Sequence, residues 1–263
     1  MNLEKIGISP CIITHKNNKR FKDIKIFISG RELRREVDDV IEGFEVGTND
    51  EVMEHMPYQD LKNNNTRQIL YISGASGSGK SYYTSLYLKR YNKMFPKNPI
   101  YVFSVLTEDD VIDRCKNIVR IDFKDESFYK ADFTDITKFK DSLVLYDDTE
   151  MISDPFIHQK IKQLQDLVLT TGRHESVFCI VTSHNCCAGP RTKLILAESN
   201  SITLFADNMG RSTMDYALKS GFGFTTKQID QISKLDSRWF TILRTVPICV
   251  MHEKGIFTFG RNS

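Results

Sequence analysis

The sequence QILYISGASGSGKS, residues 68–81, decides the fold of this chain. Its first six residues form a mostly apolar run that predicts a buried strand, and the YYTSLYLKRY that follows it is compatible with a helix. Between the two, residues 74–81 fill every fixed position of the pattern G-x-x-x-x-G-K-[ST]. A strand before this pattern and a helix after it identify a phosphate-binding P-loop, so the sequence predicts an ATP or GTP site.

Each fixed residue of the P-loop has a role in holding phosphate. The glycines let backbone N–H groups fold around the β-phosphate, the Lys80 ammonium faces the β- and γ-phosphates, and the Ser81 hydroxyl can ligate Mg²⁺. The helix that begins here adds the positive end of its dipole. The predicted nucleotide-binding residues are Gly74, Ala75, Ser76, Gly77, Ser78, Gly79, Lys80, Ser81 and Tyr82.

A second nucleotide element is expected at residues 142–148, SLVLYDD. A largely apolar run that ends in an acid describes a buried strand whose last carboxylate reaches the magnesium shell, as in a Walker B strand, and we assign this role to Asp147. Asp148 then stands where a carboxylate can orient and activate the attacking water, with Glu150 as the competing base. The same acids could instead cap the turn after the strand, but the P-loop upstream favours the catalytic interpretation.

From residue 67 onward, apolar strands alternate with helical stretches, which predicts an α/β fold with a mainly parallel sheet covered by helices on both faces. Strands are expected at 68–73, 100–105, 142–147, 177–182 and 202–206, and a helix at 156–169 with Gly172 as its stop. The paired carboxylates, and an additional strand at 100–105 between the P-loop and Walker B strands, favour an ATPase over a small GTPase. No Asn/Thr-Lys-x-Asp stretch for guanine recognition is present, so ATP is the expected nucleotide.

The sequence divides into an accessory segment, residues 1–65, and an ATPase domain, residues 66–263. The accessory segment predicts a strand at 23–28, then a capping box at 29–32 and a helix whose stripe runs from Leu33 to Phe44, with a loop at 63–65. The tail predicts a second capping box at 225–228. It also predicts extended segments at 239–243, 247–251 and 256–259, with a turn at 253–255.

Composition excludes a collagen-like protein, a disordered protein, a secreted disulfide scaffold and a membrane protein. The 263 residues carry a net charge of +2 and 40% hydrophobic residues, which is ordinary for a globular protein. No apolar run approaches the roughly 18 residues of a membrane span, the N-terminus has no signal-peptide core, and the six cysteines show no metal-ligand spacing. Eight Lys/Arg in 15–35 precede nine Asp/Glu in 36–60, which indicates either a polyanion-binding arm or two solvated faces. We expect a reduced, intracellular protein without membrane insertion.

Residues 170–185, TTGRHESVFCIVTSHN, resemble a stretch of the FtsK–HerA superfamily of DNA-pumping ATPases, in which a Gly-Arg pair precedes the strand after Walker B. The resemblance is closest to the poxvirus-type genome-packaging ATPases of nucleocytoplasmic large DNA viruses and virophages. It covers residues 68–259 and includes the Ser-Arg-Trp segment at 237–239. It implies a RecA-like (ASCE) P-loop NTPase that uses ATP and Mg²⁺ to move double-stranded DNA into a viral capsid.

The resemblance also implies partners and further site residues. The partners would be DNA held through its phosphates without sequence preference, further copies in a ring of five or six, and a capsid or portal protein. The protein would then act in the cytoplasm of an infected cell or in the virion. Arg173 becomes a candidate arginine finger acting in a neighbouring subunit, with Arg191 as a rival finger or a DNA contact. The family places Gln after Thr as its γ-phosphate sensor; here Thr182 is followed by Ser-His-Asn, which leaves Ser183 and Asn185 as sensor candidates.

Two other classes of protein share a P-loop. A P-loop kinase would pass the γ-phosphate to a small acceptor and would need a lid with arginines, which Arg211 and its neighbours could supply, although no lid signature is present. A nucleotide-gated, capsid-associated scaffold would bind ATP without turnover. In the loop after the predicted strand, His184 is either a ligand or an ordinary polar residue, and Cys186-Cys187 is most simply two thiols.

Overall fold

The computed structural model describes residues 51–57, 67–206, 209–245 and 248–259, and the backbone of three strands at 7–15, 24–29 and 40–45. The chain forms two compact units: the P-loop unit, residues 67–199, and a second unit made of residues 1–66 and 200–263. In this second unit the last strands group with the N-terminal segment. The division into an accessory segment, residues 1–65, and an ATPase domain, residues 66–263, stays a prediction.

In chain order, the strands of the second unit's N-terminal part are β1 (Gly7–His15), β2 (Ile24–Ser29), β3 (Val40–Glu45) and β4 (Glu51–His55). The P-loop unit contains β5 (Ile69–Ser73), α1 (Lys80–Met94), β6 (Ile100–Ser104), β7 (Ile118–Arg120), α2 (Glu126–Lys130), β8 (Leu143–Asp147), α3 (Pro155–Thr171), β9 (Phe178–Ser183) and α4 (Pro190–Glu198). The remaining elements are β10 (Ser201–Leu204), α5 (Arg211–Phe222), α6 (Thr226–Ser233), β11 (Phe240–Leu243), β12 (Cys249–His252) and β13 (Gly255–Phe259).

The P-loop unit is built on parallel strands in the order β5-β9-β8-β6-β7. Every residue of β5, β8 and β9 is buried, as expected for parallel strands that are covered on both faces. Because the strands are parallel, the carboxyl ends of β5, β8 and β9 lie at one edge of the sheet, the edge where open α/β sheets bind ligands. The predicted RecA-like P-loop NTPase fold is confirmed.

One detail of the predicted sheet is wrong. The prediction used residues 100–105 as the additional strand between the P-loop and Walker B strands, whereas the strand that lies between β5 and β8 is β9. The observed β6 lies on the other side of β8 and pairs Ser104 with Asp147. Position along the chain does not give position in a parallel sheet, because each crossover can return the chain to either side. The ATPase-type order, with one strand between β5 and β8, is nevertheless present.

Helix α3 follows its prediction closely and is fixed at both ends. Asp154 caps its start by accepting hydrogen bonds from the N–H groups of Phe156 and Ile157, and Pro155 occupies the first turn. Its predicted apolar stripe, Ile157, Ile161, Leu164 and Val168, is buried.

Gly172 ends α3 for a different reason than the one predicted. Its φ of −56° is helical, and the chain continues into a 3₁₀ turn, Gly172–Glu175, before Ser176 adopts a left-handed φ of 56°. A Cβ on Gly172 would lie 3.2 Å from Nη2 of Arg67 and 3.4 Å from Cβ of Val177. Close packing, rather than a left-handed backbone, therefore favours glycine here.

The second unit is antiparallel. β10, β11, β12, β13 and β3 pair in that order, and β1 pairs with both β2 and β4. The β12–β13 hairpin confirms the predicted turn at 253–255, and the capping box predicted at 225–228 opens α6 with both hydrogen bonds of the motif. None of the helices in the described residues is long and apolar enough to cross a membrane.

The helix predicted from the stripe ending at Phe44 is contradicted over residues 40–45, which form β3 and pair with β13. The segment contains Val40 and Ile41, whose branched side chains suit a strand, and a Gly that disfavours a helix, so pairing along the edge of β13 overrides the helical spacing. The capping box at 29–32 and the loop at 63–65 lie outside the described residues, apart from Ser29 at the end of β2.

Candidate active site

A cavity of about 500 Å³ opens at the carboxyl edge of the P-loop unit's sheet. It is lined by the P-loop, by the ends of β6 and β8, by the turn after β8 and by the residue that follows β9. The lining residues are Ala75, Ser76, Gly77, Gly79, Lys80, Ser81, Tyr82, Ser104, Val105, Leu106, Asp147, Asp148, Met151 and His184. The cavity therefore gathers the P-loop and both aspartates that the sequence predicted for nucleotide chemistry.

The P-loop adopts its shape through left-handed glycines. Gly77 has a φ of 75° and Gly79 a φ of 108°, and Gly79 is the residue from which α1 begins. The amino end of α1 is thereby directed to the cavity wall, where free N–H groups and the helix dipole favour an anion. The Ser78 hydroxyl is buried and has no hydrogen-bond partner among the described residues.

Lys80 is buried and held within the site. Its Nζ donates to the Gly74 carbonyl oxygen at 2.9 Å and lies 3.5 Å from Oδ2 of Asp148 and 3.4 Å from Nδ1 of His184. A buried ammonium needs such partners because its desolvation is otherwise costly. In this arrangement the protein itself occupies the hydrogen-bond donors of Lys80.

Asp147 is the buried acid at the end of β8. One of its oxygens accepts a hydrogen bond from Ser104 and the other from Thr182, each at 2.9 Å. Burial raises the pKa of this carboxyl, and the hydrogen bond from Thr182 works against that shift. Ser104 is the last residue of β6 and Thr182 the penultimate residue of β9, and these strands lie on either side of β8. The sheet itself therefore fixes the orientation of Asp147.

Asp148 has a left-handed backbone, with a φ of 46° and a ψ of 37°. Such a conformation is uncommon for a residue with a side chain and is frequent at functional sites. The Thr182 hydroxyl accepts from the Asp148 N–H at 2.9 Å and lies 3.1 Å from Oδ1, while Nε2 of His184 lies 3.1 Å from Oδ2. The backbone and both carboxylate oxygens are thus fixed, with Oδ2 directed toward Lys80.

Glu150, the competing base, is engaged elsewhere. Its Oε1 accepts a hydrogen bond from the His184 backbone N–H at 2.8 Å, and its side chain lines a separate cavity of about 110 Å³ rather than the main one. Of the two candidate bases, only Asp148 faces the P-loop cavity.

The sensor candidates are also placed away from the main cavity. Ser183 and Asn185 line the smaller cavity, and the Ser183 hydroxyl bonds to the backbone N–H and carbonyl of Asn185, both at 3.1 Å. The residue that enters the main cavity from this loop is His184. The sequence led us to expect Ser183 or Asn185 in the main cavity. His184 enters it instead, because the turn after β9 directs alternate side chains to opposite sides.

The arginine candidates lie apart from the cavity of their own chain. Arg173 is exposed in the 3₁₀ turn before β9, at the amino end of that strand, whereas the cavity lies at its carboxyl end. Arg191 lies in the first turn of α4, and its side chain is outside the described part of the chain.

No protein-family model matches the chain. Protein V3 of Sputnik virophage, an uncharacterized protein, is 34% identical over 241 residues, which cover 90% of this chain and 96% of V3. The chain belongs to the V3 family. The virophage relationship expected from the sequence is thus confirmed.

Solved structures resemble this V3 relative as well. The genome packaging NTPase B204 from Sulfolobus turreted icosahedral virus 2, in complex with ATP-gammaS, aligns with a TM-score of 0.47 and 14% identity over 70% of this chain and 96% of that chain. B204 from Sulfolobus turreted icosahedral virus, a DNA-packaging ATPase, aligns with a TM-score of 0.45 and 16% identity over 70% and 96%.

The residues present in this V3-family site fit Mg²⁺ bound together with a nucleotide. Among the described residues no cluster of three or more His, Cys, Asp or Glu side chains is arranged to hold a metal ion alone. Magnesium in P-loop sites does not need such a cluster, because one or two protein ligands suffice when phosphates and waters supply the rest. Ser81 and Asp147, which both line the cavity, would hold it.

Sequence reasoning did not assign Ser104 or Thr182 to this site, and it left His184 open as either a ligand or an ordinary polar residue. The signal for the first two was their position, since each is a small polar residue at the end of a predicted buried strand. For His184 the only signal was that it follows the third strand that ends at the same sheet edge.

Proposed function

We propose that this chain is a magnesium-dependent ATPase of the FtsK–HerA type that couples ATP hydrolysis to the movement of double-stranded DNA into a viral capsid. The observation that carries the proposal is the convergence of Lys80 and Asp148 on one cavity, with Nζ 3.5 Å from Oδ2. A P-loop lysine opposite paired carboxylates is the arrangement that hydrolysis of a γ-phosphate requires. The virophage relationship supports a viral setting, and the resemblance across residues 68–259 supports DNA packaging.

In the proposed reaction each residue acts through its position. The P-loop N–H groups bind the β-phosphate, and Lys80 exchanges its contact with the Gly74 carbonyl for the β- and γ-phosphate oxygens. Asp148 aligns the attacking water through Oδ2 and accepts its proton. Bound at Ser81 and Asp147, Mg²⁺ would neutralise charge that develops on the phosphate oxygens.

The exposed side chains at the cavity mouth support a neighbouring subunit. Tyr82, Leu106 and Met151 are 57%, 55% and 60% exposed, and they form an apolar rim around a charged pocket. Apolar groups grouped in this way mark interaction surfaces. We propose that a second copy in a homo-oligomeric ring covers this rim and supplies Arg173, with Arg191 as the rival finger or a DNA contact. A capsid or portal protein would dock the ring, and the protein would act in an infected cell or the virion.

The test is phosphate release from the purified chain with Mg-ATP, with and without long double-stranded DNA. We expect turnover that DNA stimulates, that falls as salt is raised because DNA is held through its phosphates, and that Lys80→Ala abolishes. Lys89→Ala, a change at an exposed lysine of the same helix, is the matched control and should retain basal turnover.

Other outcomes would overturn the proposal. Turnover that survives in Lys80→Ala contradicts the site, and a metabolite phosphorylated in place of phosphate release indicates a kinase. Binding of ATP without turnover, with DNA and a capsid extract present, indicates a nucleotide-gated scaffold.

A further inference from the structure

The ring of His184 stands between the two groups on which the proposed hydrolysis depends. Its Nδ1 lies 3.4 Å from Nζ of Lys80, and its Nε2 lies 3.1 Å from Oδ2 of Asp148. Both ring nitrogens are therefore engaged, one on the P-loop and the other on the carboxylate that aligns water.

The chemistry of the two partners determines which nitrogen carries the proton. An ammonium can only donate, so the Nδ1 that faces Lys80 is the acceptor of the neutral ring. The proton is then on Nε2, which donates to the carboxylate of Asp148. The geometry thus selects one tautomer and gives His184 a directed hydrogen bond to Oδ2.

The loop that carries His184 is fixed on both sides of this residue. Its own backbone N–H donates to Glu150 at 2.8 Å, and the next residue, Asn185, accepts a hydrogen bond at its carbonyl oxygen from the Tyr71 hydroxyl at 2.9 Å. The Ser183 side chain closes the turn through its bonds to Asn185. These contacts give the ring a defined position, unlike that of an ordinary polar residue on a loop.

We propose that His184 is the positioning residue for Asp148 and that it acts through the hydrogen bond from its Nε2 to Oδ2 of Asp148. This inference rests on the proposed ATPase function and deepens it. When Lys80 turns to the phosphates, Asp148 loses its contact with the ammonium, and His184 keeps Oδ2 in place for the attacking water. The contact from Nδ1 to Lys80 is given up when Lys80 turns to the phosphates of a bound nucleotide.

Two substitutions, His184→Gln and His184→Asn, distinguish the contribution of Nε2 from that of Nδ1. The amide of Gln can take the place of Nε2 and donate to Asp148, whereas the shorter Asn can place its amide only near Nδ1, toward Lys80. We expect His184→Ala and His184→Asn to lower kcat by about 10²-fold, the size of effect that a misplaced catalytic group produces. We expect His184→Gln to retain most of kcat, and the Kd of a non-hydrolysable ATP analogue to stay near the wild-type value in all three variants.

Circular dichroism and analogue binding show whether each variant is folded, and His158→Gln, on α3, is the matched control that should retain wild-type kcat. A wild-type kcat in His184→Ala overturns the inference. So does rescue by Asn but not by Gln, since that result would assign the effect to Lys80.

A second measurement tests the hydrogen bond from His184 to Asp148 without relying on turnover. Nitrogen-15 spectra of the histidine rings in the empty wild-type protein should show His184 protonated at Nε2 and not at Nδ1, and Asp148→Ala should shift its Nε2 signal. A His184 ring protonated at Nδ1 overturns the inference even if phosphate release is normal. Absence of phosphate release from the wild type would instead count against the proposed function alone.

Discussion

At the scale of single residues, the thiols of Cys186 and Cys187 lie beside the loop that carries His184. Their sulfur atoms are 3.8 Å apart, with Cys186 buried and Cys187 half-buried. The hydrogen bond with Cys186 lowers the pKa of Cys187 to about 7, while the pKa of Cys186 is raised. Because the thiolate is the reactive form, one thiol of the pair is expected to be much more nucleophilic than the other at neutral pH.

We predict that iodoacetamide modifies Cys187 before Cys186 and that the rate rises with pH through a midpoint near 7. Below this pH the thiol is protonated and unreactive, and above it the thiolate dominates. Cys186→Ala removes the hydrogen bond and should move the midpoint up toward the ordinary value. Peptide mapping by mass spectrometry at a series of pH values measures both. Cys115, which is buried and has a raised pKa, is the slow internal control, and a Cys187 midpoint near 9 would contradict the prediction.

The residues of the site differ in how far the sequence could predict them. Lys80 and Asp147 were predictable because a contiguous motif fixes each of them: the P-loop pattern for one and an apolar run ending in an acid for the other. Ser104, Thr182 and His184 become site residues only when separate strands are placed side by side. Their roles depend on the strand order β9-β8-β6, which no local pattern encodes.

At the scale of elements, the junction between α3 and β9 is held by Arg67. Its guanidinium donates to the carbonyl oxygens of Val168, of Leu169 at 3.1 Å and of Val177 at 2.9 Å. It thereby ties the end of α3 to the residue that precedes β9, and the Val168 carbonyl oxygen also accepts a hydrogen bond from the Gly172 N–H. Gly172 lies against this guanidinium, so its lack of a side chain is part of the same arrangement.

We predict that Gly172→Ala lowers the free energy of unfolding by about 1–2 kcal/mol, the usual cost of overpacking, because the added Cβ would meet an arginine that three carbonyls hold in place. The control is Gly221→Ala in α5, where the same added Cβ would meet nothing within 4 Å. There the better helix propensity of Ala should keep stability unchanged or raise it by up to about 1 kcal/mol. Denaturant unfolding of both variants measures the contrast, and equal stability of the two would show that Arg67 can move aside.

The elements also differ in their predictability. The buried strands β5, β6, β8 and β9 were predicted because a strand that is covered on both faces is a continuous apolar run. β3 was predicted as a helix, since five apolar residues at helical spacing outweighed its strand-forming residues, and only its pairing with β13 decides the outcome. The spacing of apolar residues within a segment cannot indicate a pairing strand that lies more than two hundred residues away along the chain.

At the scale of the whole molecule, the place of Arg173 on the sheet decides how it can act. Arg173 stands before the amino end of β9, and His184 follows the carboxyl end of the same six-residue strand. Such a strand spans about 17–20 Å, which is more than an arginine side chain can reach. An arginine finger at this position can therefore serve only the cavity of another subunit.

We predict that Lys80→Ala and Arg173→Ala are each inactive in ATP hydrolysis, with Arg173→Ala still binding ATP, and that co-expression of the two restores part of the activity. In mixed rings an intact Lys80 meets an intact Arg173 at about one interface in four, because a closed ring of identical subunits repeats the same interface. The measurement is DNA-stimulated phosphate release from complexes purified through two different tags, which proves that both variants are present. Mixed complexes that form and remain inactive would show that Arg173 does not act across the interface, and the same experiment with Arg191→Ala would then test the rival finger.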